Sequence, residues 1–132
     1  MNFFRTIIQM KIKFLSSFIH QYSSEHSSQS DAYLDYLKAR RFEFKAIYQA
    51  RDTIDPFYNL NERNAMWYFL HSASEGYSSA QFKLGQCYLT GQLGLQSNPQ
   101  KAQQWLVLAA DQGHLEAKNT LLRIAITSYP EN

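Results

Sequence analysis

The side chains that could do chemistry are few and scattered. The chain has one cysteine, Cys87, and four histidines: His20, His26, His71 and His114. No two histidines stand four apart, the spacing that puts two imidazoles on one helical face for a metal. One thiol cannot build a cysteine-based zinc site or an intrachain disulfide. Cys87 has no His or cation immediately beside it to stabilise a thiolate, so it reads as a buried structural thiol. His114 follows Gly113 and reads as a turn residue. The strand–turn–helix nucleophile motif, the phosphate-binding loop and the dinucleotide fingerprint are all missing from the sequence. No residue is marked as catalytic, cofactor-binding or metal-ligating, and the expectation is a protein that is not an enzyme and carries no cofactor.

Composition bounds the alternatives. The chain has 132 residues, 45% apolar and 18% charged, with nine Phe, nine Tyr and two Trp. That is the profile of one folded domain with enough large side chains for a core. Formal net charge is +2, and the excess is local. Residues 1–30 hold Arg5, Lys11 and Lys13 against Glu25, while residues 31–132 hold ten basic and ten acidic residues. Binding to nucleic acid needs a basic field, and the main body has none overall, so no nucleic-acid partner is expected. The densest basic cluster, Lys38, Arg40, Arg41 and Lys45, is diluted by Glu43 and reads as a solvated helix face. No run of 18 apolar residues offers a membrane-spanning helix.

These sparse groups must be positioned by helices. Three regions are distinguishable: an apolar segment with scattered cations (1–22), a Ser-rich polar linker (23–30), and a helical domain (31–132). Within the last, residues 61–85 and 98–122 match at an offset of 37. Asn61 pairs with Asn98, Ala65 with Ala102, Tyr68 with Trp105, Ala73 with Ala110, Gly76 with Gly113, Ala80 with Ala117 and Leu84 with Leu121. A period of this length is the signature of stacked helical units. Asn61 and Asn98 stand where a side chain would cap a helix, with Pro99 at the first helical position. Ala102, Trp105, Leu106, Ala109 and Ala110 form an apolar stripe. Gly76 and Gly113 fall where a helix ends in a left-handed residue.

Helix 79–90 puts Ala80, Leu84, Cys87 and Tyr88 on one face, and Gly85 within it implies a close helix contact. An earlier helix is expected from about Asp31 to Arg51, with Tyr33, Leu37, Phe44, Ile47 and Tyr48 as candidates for its apolar face, followed by a loop through Asn61. A last helix, 115–127, would turn Leu115, Leu121, Leu122 and Ala125 to the stack and Glu116, Lys118 and Arg123 to water.

At these residues the chain resembles the Sel-one-like repeat family, a relative of tetratricopeptide arrays. The resemblance rests on Ala80, Leu84-Gly85, Tyr88, Gly91, Gly94, Lys101-Ala102, Trp105, Ala109-Ala110 and Gly113. It covers about residues 39–125, with Asn64 where Lys is usual upstream and Leu122 in place of Gly downstream. It implies an all-α, short right-handed solenoid of two to three helix pairs, with Trp105 buried. It also implies a non-catalytic role in assembling other proteins. Many relatives are bacterial signalling or secretion-linked proteins, some with disulfide-bridged helix pairs, a pattern from which the lone Cys87 departs.

Partner contacts are expected at Trp67, Gln81, Lys83 and Gln86. Trp67 lies about 100° round its helix from the core aromatic slot of Tyr68. It has two readings, packing beneath the first loop or anchoring a partner. Gln81, Lys83 and Gln86 flank the core stripe of the helix that would line the inner side of the solenoid. In residues 1–22, Phe3, Ile7, Met10, Phe14 and Phe18 fall at near-helical spacing. That amphipathic helix reads as a cap on the stack, a membrane-surface anchor or a signal segment. The leading expectation is a binding module for a protein partner. The alternatives are an immunity or inhibitor protein that occludes a toxin or enzyme, and a membrane-surface adaptor anchored by residues 1–22. A cytoplasmic location is expected, or a periplasmic or membrane-associated one if residues 1–22 act as signal or anchor. The sequence sets neither the partner nor the oligomeric state.

Overall fold

The fold is an all-α repeat solenoid. The structure, a computed structural model, describes residues 9, 10, 13, 16, 17, 31–48 and 58–128. Residues 31–48 are helical (α1). Four helices follow: α2 Tyr58–Ser74, α3 Ser78–Thr90, α4 Pro99–Asp111 and α5 Leu115–Ser128. No strand occurs among the described residues. Each helix packs on the next in chain order, α2 on α3, α3 on α4 and α4 on α5.

The two short connections are built alike. The Tyr77 N–H donates to the Ser72 carbonyl and the Gly76 N–H to that of Ala73. Thirty-seven residues on, the His114 N–H donates to Ala109 and the Gly113 N–H to Ala110. Gly76 and Gly113 have φ of 90° and 88°, a left-handed conformation that a Cβ would penalise. The helix starts differ. Asn98 is extended, and its side-chain oxygen accepts from the Lys101 N–H at 3.0 Å, so it caps α4 ahead of Pro99. Asn61 is no cap: α2 is already helical at Tyr58, and Asn61 is buried inside it. Asn98 follows a glycine-containing loop and precedes Pro99, whereas Asn61 has neither stop signal, so the helix runs back through it. The start of α5 is capped by a residue the repeat match did not mark. The Ala117 N–H donates to His114 Nδ1 at 3.4 Å.

The core has two parts. Ala39, Ala65, Phe69, Ala73, Ala80 and Leu84 join α1, α2 and α3. Leu106, Ala109, Ala110 and Ala117 join α4 and α5, with Phe82 and Leu89 of α3 packed against them. Cys87 and Ala102 are also fully buried. Trp105 and Tyr68, the two aromatic repeat positions, are half-buried against the first part. Trp105 therefore lines the core rather than filling it.

The apolar face of α1 differs from expectation. Tyr33, Leu37, Phe44, Ile47 and Tyr48 are exposed, and α1 instead buries Ala32, Ala39 and Ala46. Small residues seven apart let two helix axes approach closely, which large side chains would prevent. Ser72 of α2 uses that closeness: its hydroxyl donates to the Ala32 carbonyl at 2.6 Å. Helix α5 differs in part: Leu121 packs on the stack as expected. Leu115, Leu122 and Ala125 are exposed, and Ala117, Thr120, Leu121 and Ile124 face the stack.

The expected boundaries at residues 22 and 30 lie outside the described residues, as do Phe3, Ile7, Phe14 and Phe18 of the N-terminal stripe and residues 49–51 of the expected first helix. Gln9, Met10, Lys13, Ser16 and Ser17 are helical and exposed, Met10 at 66%.

Candidate functional site

Two adjoining hollows meet at the loop between α3 and α4. That loop leaves α3 at Gly91, whose N–H donates back to the Cys87 carbonyl, and it is tied down at its far end. The Asn98 N–H donates to the Tyr88 carbonyl at 2.7 Å and the Ser97 hydroxyl to that of Leu89 at 2.9 Å. Between these ties Leu93 has φ of 54°. A non-glycine residue pays about 1–2 kcal/mol for that region. Leu93 stays there because its side chain packs against the α1–α2–α3 core.

The first hollow, of about 420 Å³, is lined by Glu43, Ile47, Glu62, Lys83, Gln92 and Leu93. At its base the Lys83 ammonium pairs with the Glu43 carboxylate, which also meets Arg40 Nε at 3.5 Å. Glu43 and Lys83 are both largely buried, so each depends on the other for compensation. The second hollow, of about 660 Å³, is an open groove lined by Arg63, Met66, Trp67, Leu70, Leu93 and Leu95. Glu62, Leu93 and Gly94 border both.

Trp67 is 58% exposed, yet it is held. Its ring stacks on His71 at 5.4 Å and 14°, and meets Tyr68 edge-on at 4.8 Å. His71 is fixed in turn by Asp35 of α1, with Nδ1 at 2.8 Å from Oδ2. Tyr68 stacks on Phe42 of α1 at 5.7 Å, and the Lys38 ammonium lies 5.2 Å from its centroid. The exposed ring is thus flanked by two side chains of its own helix, each of which in turn contacts α1.

The Asp35 carboxyl lies below its ordinary 3.8, first through the hydrogen bond from Lys38 at 2.8 Å and less through His71, against the opposing effect of burial. The unfolded chain takes this proton more readily. Asp35 therefore stabilises the fold above about pH 4, and the contribution is lost as pH falls through the lower folded value. Thermal melts from pH 6 down to pH 3 should show a steeper fall for the natural chain than for Asp35→Asn; equal slopes would refute this linkage.

The four residues expected to meet a partner are separated. Trp67 and Lys83 lie in the adjoining hollows. Gln86 stands one turn beyond Lys83 and is half-buried. Gln81 is 5% exposed and engaged within the fold. Its Nε2 donates to the Ala73 carbonyl at 3.1 Å, and its Oε1 accepts from Gln112 Nε2 at 2.7 Å. It joins three consecutive elements and has no free polar group to present. Sequence reasoning missed Leu93, because nothing in its neighbours marks a left-handed leucine. It also missed Met66 and Leu70, apolar helix residues that nothing in their neighbours marks.

The other candidate groups have structural settings. Burial pushes the Cys87 thiol up to about 11, opposed by Lys83, so the nucleophilic thiolate is scarce at neutral pH. Among the described residues no three His, Cys, Asp or Glu side chains converge as a metal site. No helix among them is long and apolar enough to cross a membrane.

Alanines at the helix contacts, Gly85 against α4 and the glycine-ended turns are the parts of a repeat unit, and a family comparison places them. Residues 78–114 match the family model of the Sel1 repeat. The chain carries a Sel1 repeat. The match spans α3, the loop and α4, and ends at His114, one residue before α5. Within the Sel1 repeat, Lys101 Nζ lies 5.6 Å from the Tyr88 ring centroid, which gives the Lys and Tyr positions a shared contact. Sel1 repeats generally mediate protein–protein interaction and are generally non-catalytic. No curated protein and no solved structure gives a significant match to the chain.

Proposed function

We propose that this chain is a non-catalytic protein-binding module that takes a partner segment in the groove beside Trp67. The observation that carries the reading is a tryptophan more than half exposed yet packed against His71 and Tyr68. Interface hot spots are enriched in Trp, and a ring held in place before binding loses little freedom when a partner covers it. Met66, Leu70 and Leu93 supply apolar floor beside it, and Glu62 and Arg63 supply charge of both signs at the margin.

The test is affinity purification of the tagged full chain from its native cells, beside Trp67→Ala. One stoichiometric partner should be recovered with the natural chain and lost with the variant. Both should be folded by circular dichroism, the variant losing about 1–2 kcal/mol with its two ring contacts. A partner retained at full stoichiometry by Trp67→Ala would remove the groove from consideration.

A further inference from the structure

The outer face of α1 is a second surface, separate from the Trp67 groove. Tyr33, Leu34, Leu37, Phe44, Ile47 and Tyr48 are 44–60% exposed. At the helical step of about 100° per residue they share one arc of roughly 140°. Phe44 and Tyr48 pack on one another with ring centroids 4.2 Å apart. Arg40 and Arg41 fall within the same arc, and Lys45 and Lys38 follow along one edge. The acids of α1 nearest its middle, Asp35 and Glu43, lie on the buried side and are ion-paired. The face is therefore apolar with cations, of which Lys38 and Arg40 already share Asp35 and Glu43, and exposed Asp31 stands beside Lys38 at its edge.

We propose that this face docks an acidic amphipathic helix of a partner protein, laid alongside α1 as one more helix of the stack. Charge selects the occupant. Residues 1–22 of the chain contain Arg5, Lys11 and Lys13 and no acid, so they offer no carboxylate to Arg41. In an antiparallel pair of α1 helices from two copies, the middle of the stripe would oppose itself, with Arg40 and Arg41 facing their counterparts. A bilayer would draw Arg40 and Arg41 toward the acyl region along with the apolar arc, whereas interfacial helices keep their cations on a separate polar face. A helix with an apolar stripe flanked by Glu or Asp covers the rings and pairs Arg41, as flanking charges do between coiled helices.

The probe is a fluorescein-labelled helical peptide of about 18 residues, roughly five turns, with leucines at three- and four-residue spacing and flanking glutamates. Its control has lysine in place of each glutamate. Anisotropy titrations with the full chain should show the glutamate peptide binding at least about tenfold more tightly than the lysine peptide. Arg41→Glu should reverse that order, and Trp67→Ala should leave it unchanged. Circular dichroism of Arg41→Glu should match the natural chain, because the side chain is exposed. Equal affinity for the two peptides, or none for either, overturns the proposal. So does charge-dependent co-sedimentation with phosphatidylglycerol vesicles that the glutamate peptide cannot displace, which would assign the face to lipid. A dimer in sedimentation equilibrium that Arg41→Glu or Leu37→Ser dissociates would assign it to a second copy.

Discussion

Phe69→Ala is expected to cost about 3–5 kcal/mol, the range for removing a fully buried aromatic ring. The ring has no exposed surface, touches the alanines of α1, α2 and α3, and lies 5.9 Å from the Tyr36 ring. Domains of this kind hold roughly 5–15 kcal/mol in total, so the variant should lose a large share of its stability. The loss should also spread. In a stacked array each helix pair depends on its neighbours, and Phe69 is where three helices meet. Urea unfolding followed by circular dichroism measures the effect. A loss under about 1 kcal/mol would mean that α1 does not pack where described.

Gly85→Val is expected to lose about 3 kcal/mol, the upper end for overpacking a filled interior. A Cβ on Gly85 would lie 2.6 Å from Leu106 Cγ, 2.7 Å from its Cδ2 and 3.3 Å from the Ala102 carbonyl oxygen. Leu106 is itself fully buried among Ala109, Ala110 and Ala117 and has nowhere to retreat. In an open helix interior, replacing glycine by alanine would gain about 1 kcal/mol. Here even Gly85→Ala should destabilise, because space and not propensity decides. The control is Leu106→Ala. If the Gly85–Leu106 contact is the cause, the double variant should be more stable than the sum of the two single losses implies. Strict additivity would point to some other origin.

The sequence made some of these features plain and hid others for a physical reason. Gly85 stood out because a glycine inside a helix needs a compensating contact, and the contact is there. Gly76, Gly113 and the Asn98–Pro99 helix start were legible because each is fixed by local backbone chemistry. The packed faces of α1 and α5 were not legible from hydrophobicity. On α1, ranking side chains by apolar size selects Tyr33, Leu37 and Phe44, whereas close helix contact selects Ala32, Ala39 and Ala46. A helix apolar on two sides gives no signal as to which side is used. Gln81 illustrates the converse: a polar side chain flanking a stripe reads as solvated until a partner such as Gln112, 31 residues away, is brought to it. The groove itself depends on a left-handed leucine and a tied loop, which are properties of the folded chain.

The loop carrying Leu93 is fastened at both ends and strained in the middle, and this bears on how a ligand would arrive. A segment already fixed in shape has no ordering entropy left to lose at docking. A partner entering the Trp67 groove would not wait for the loop to fold around it. Its association rate would then be governed by encounter and orientation, and differences among related ligands would be expressed in how long each complex lasts.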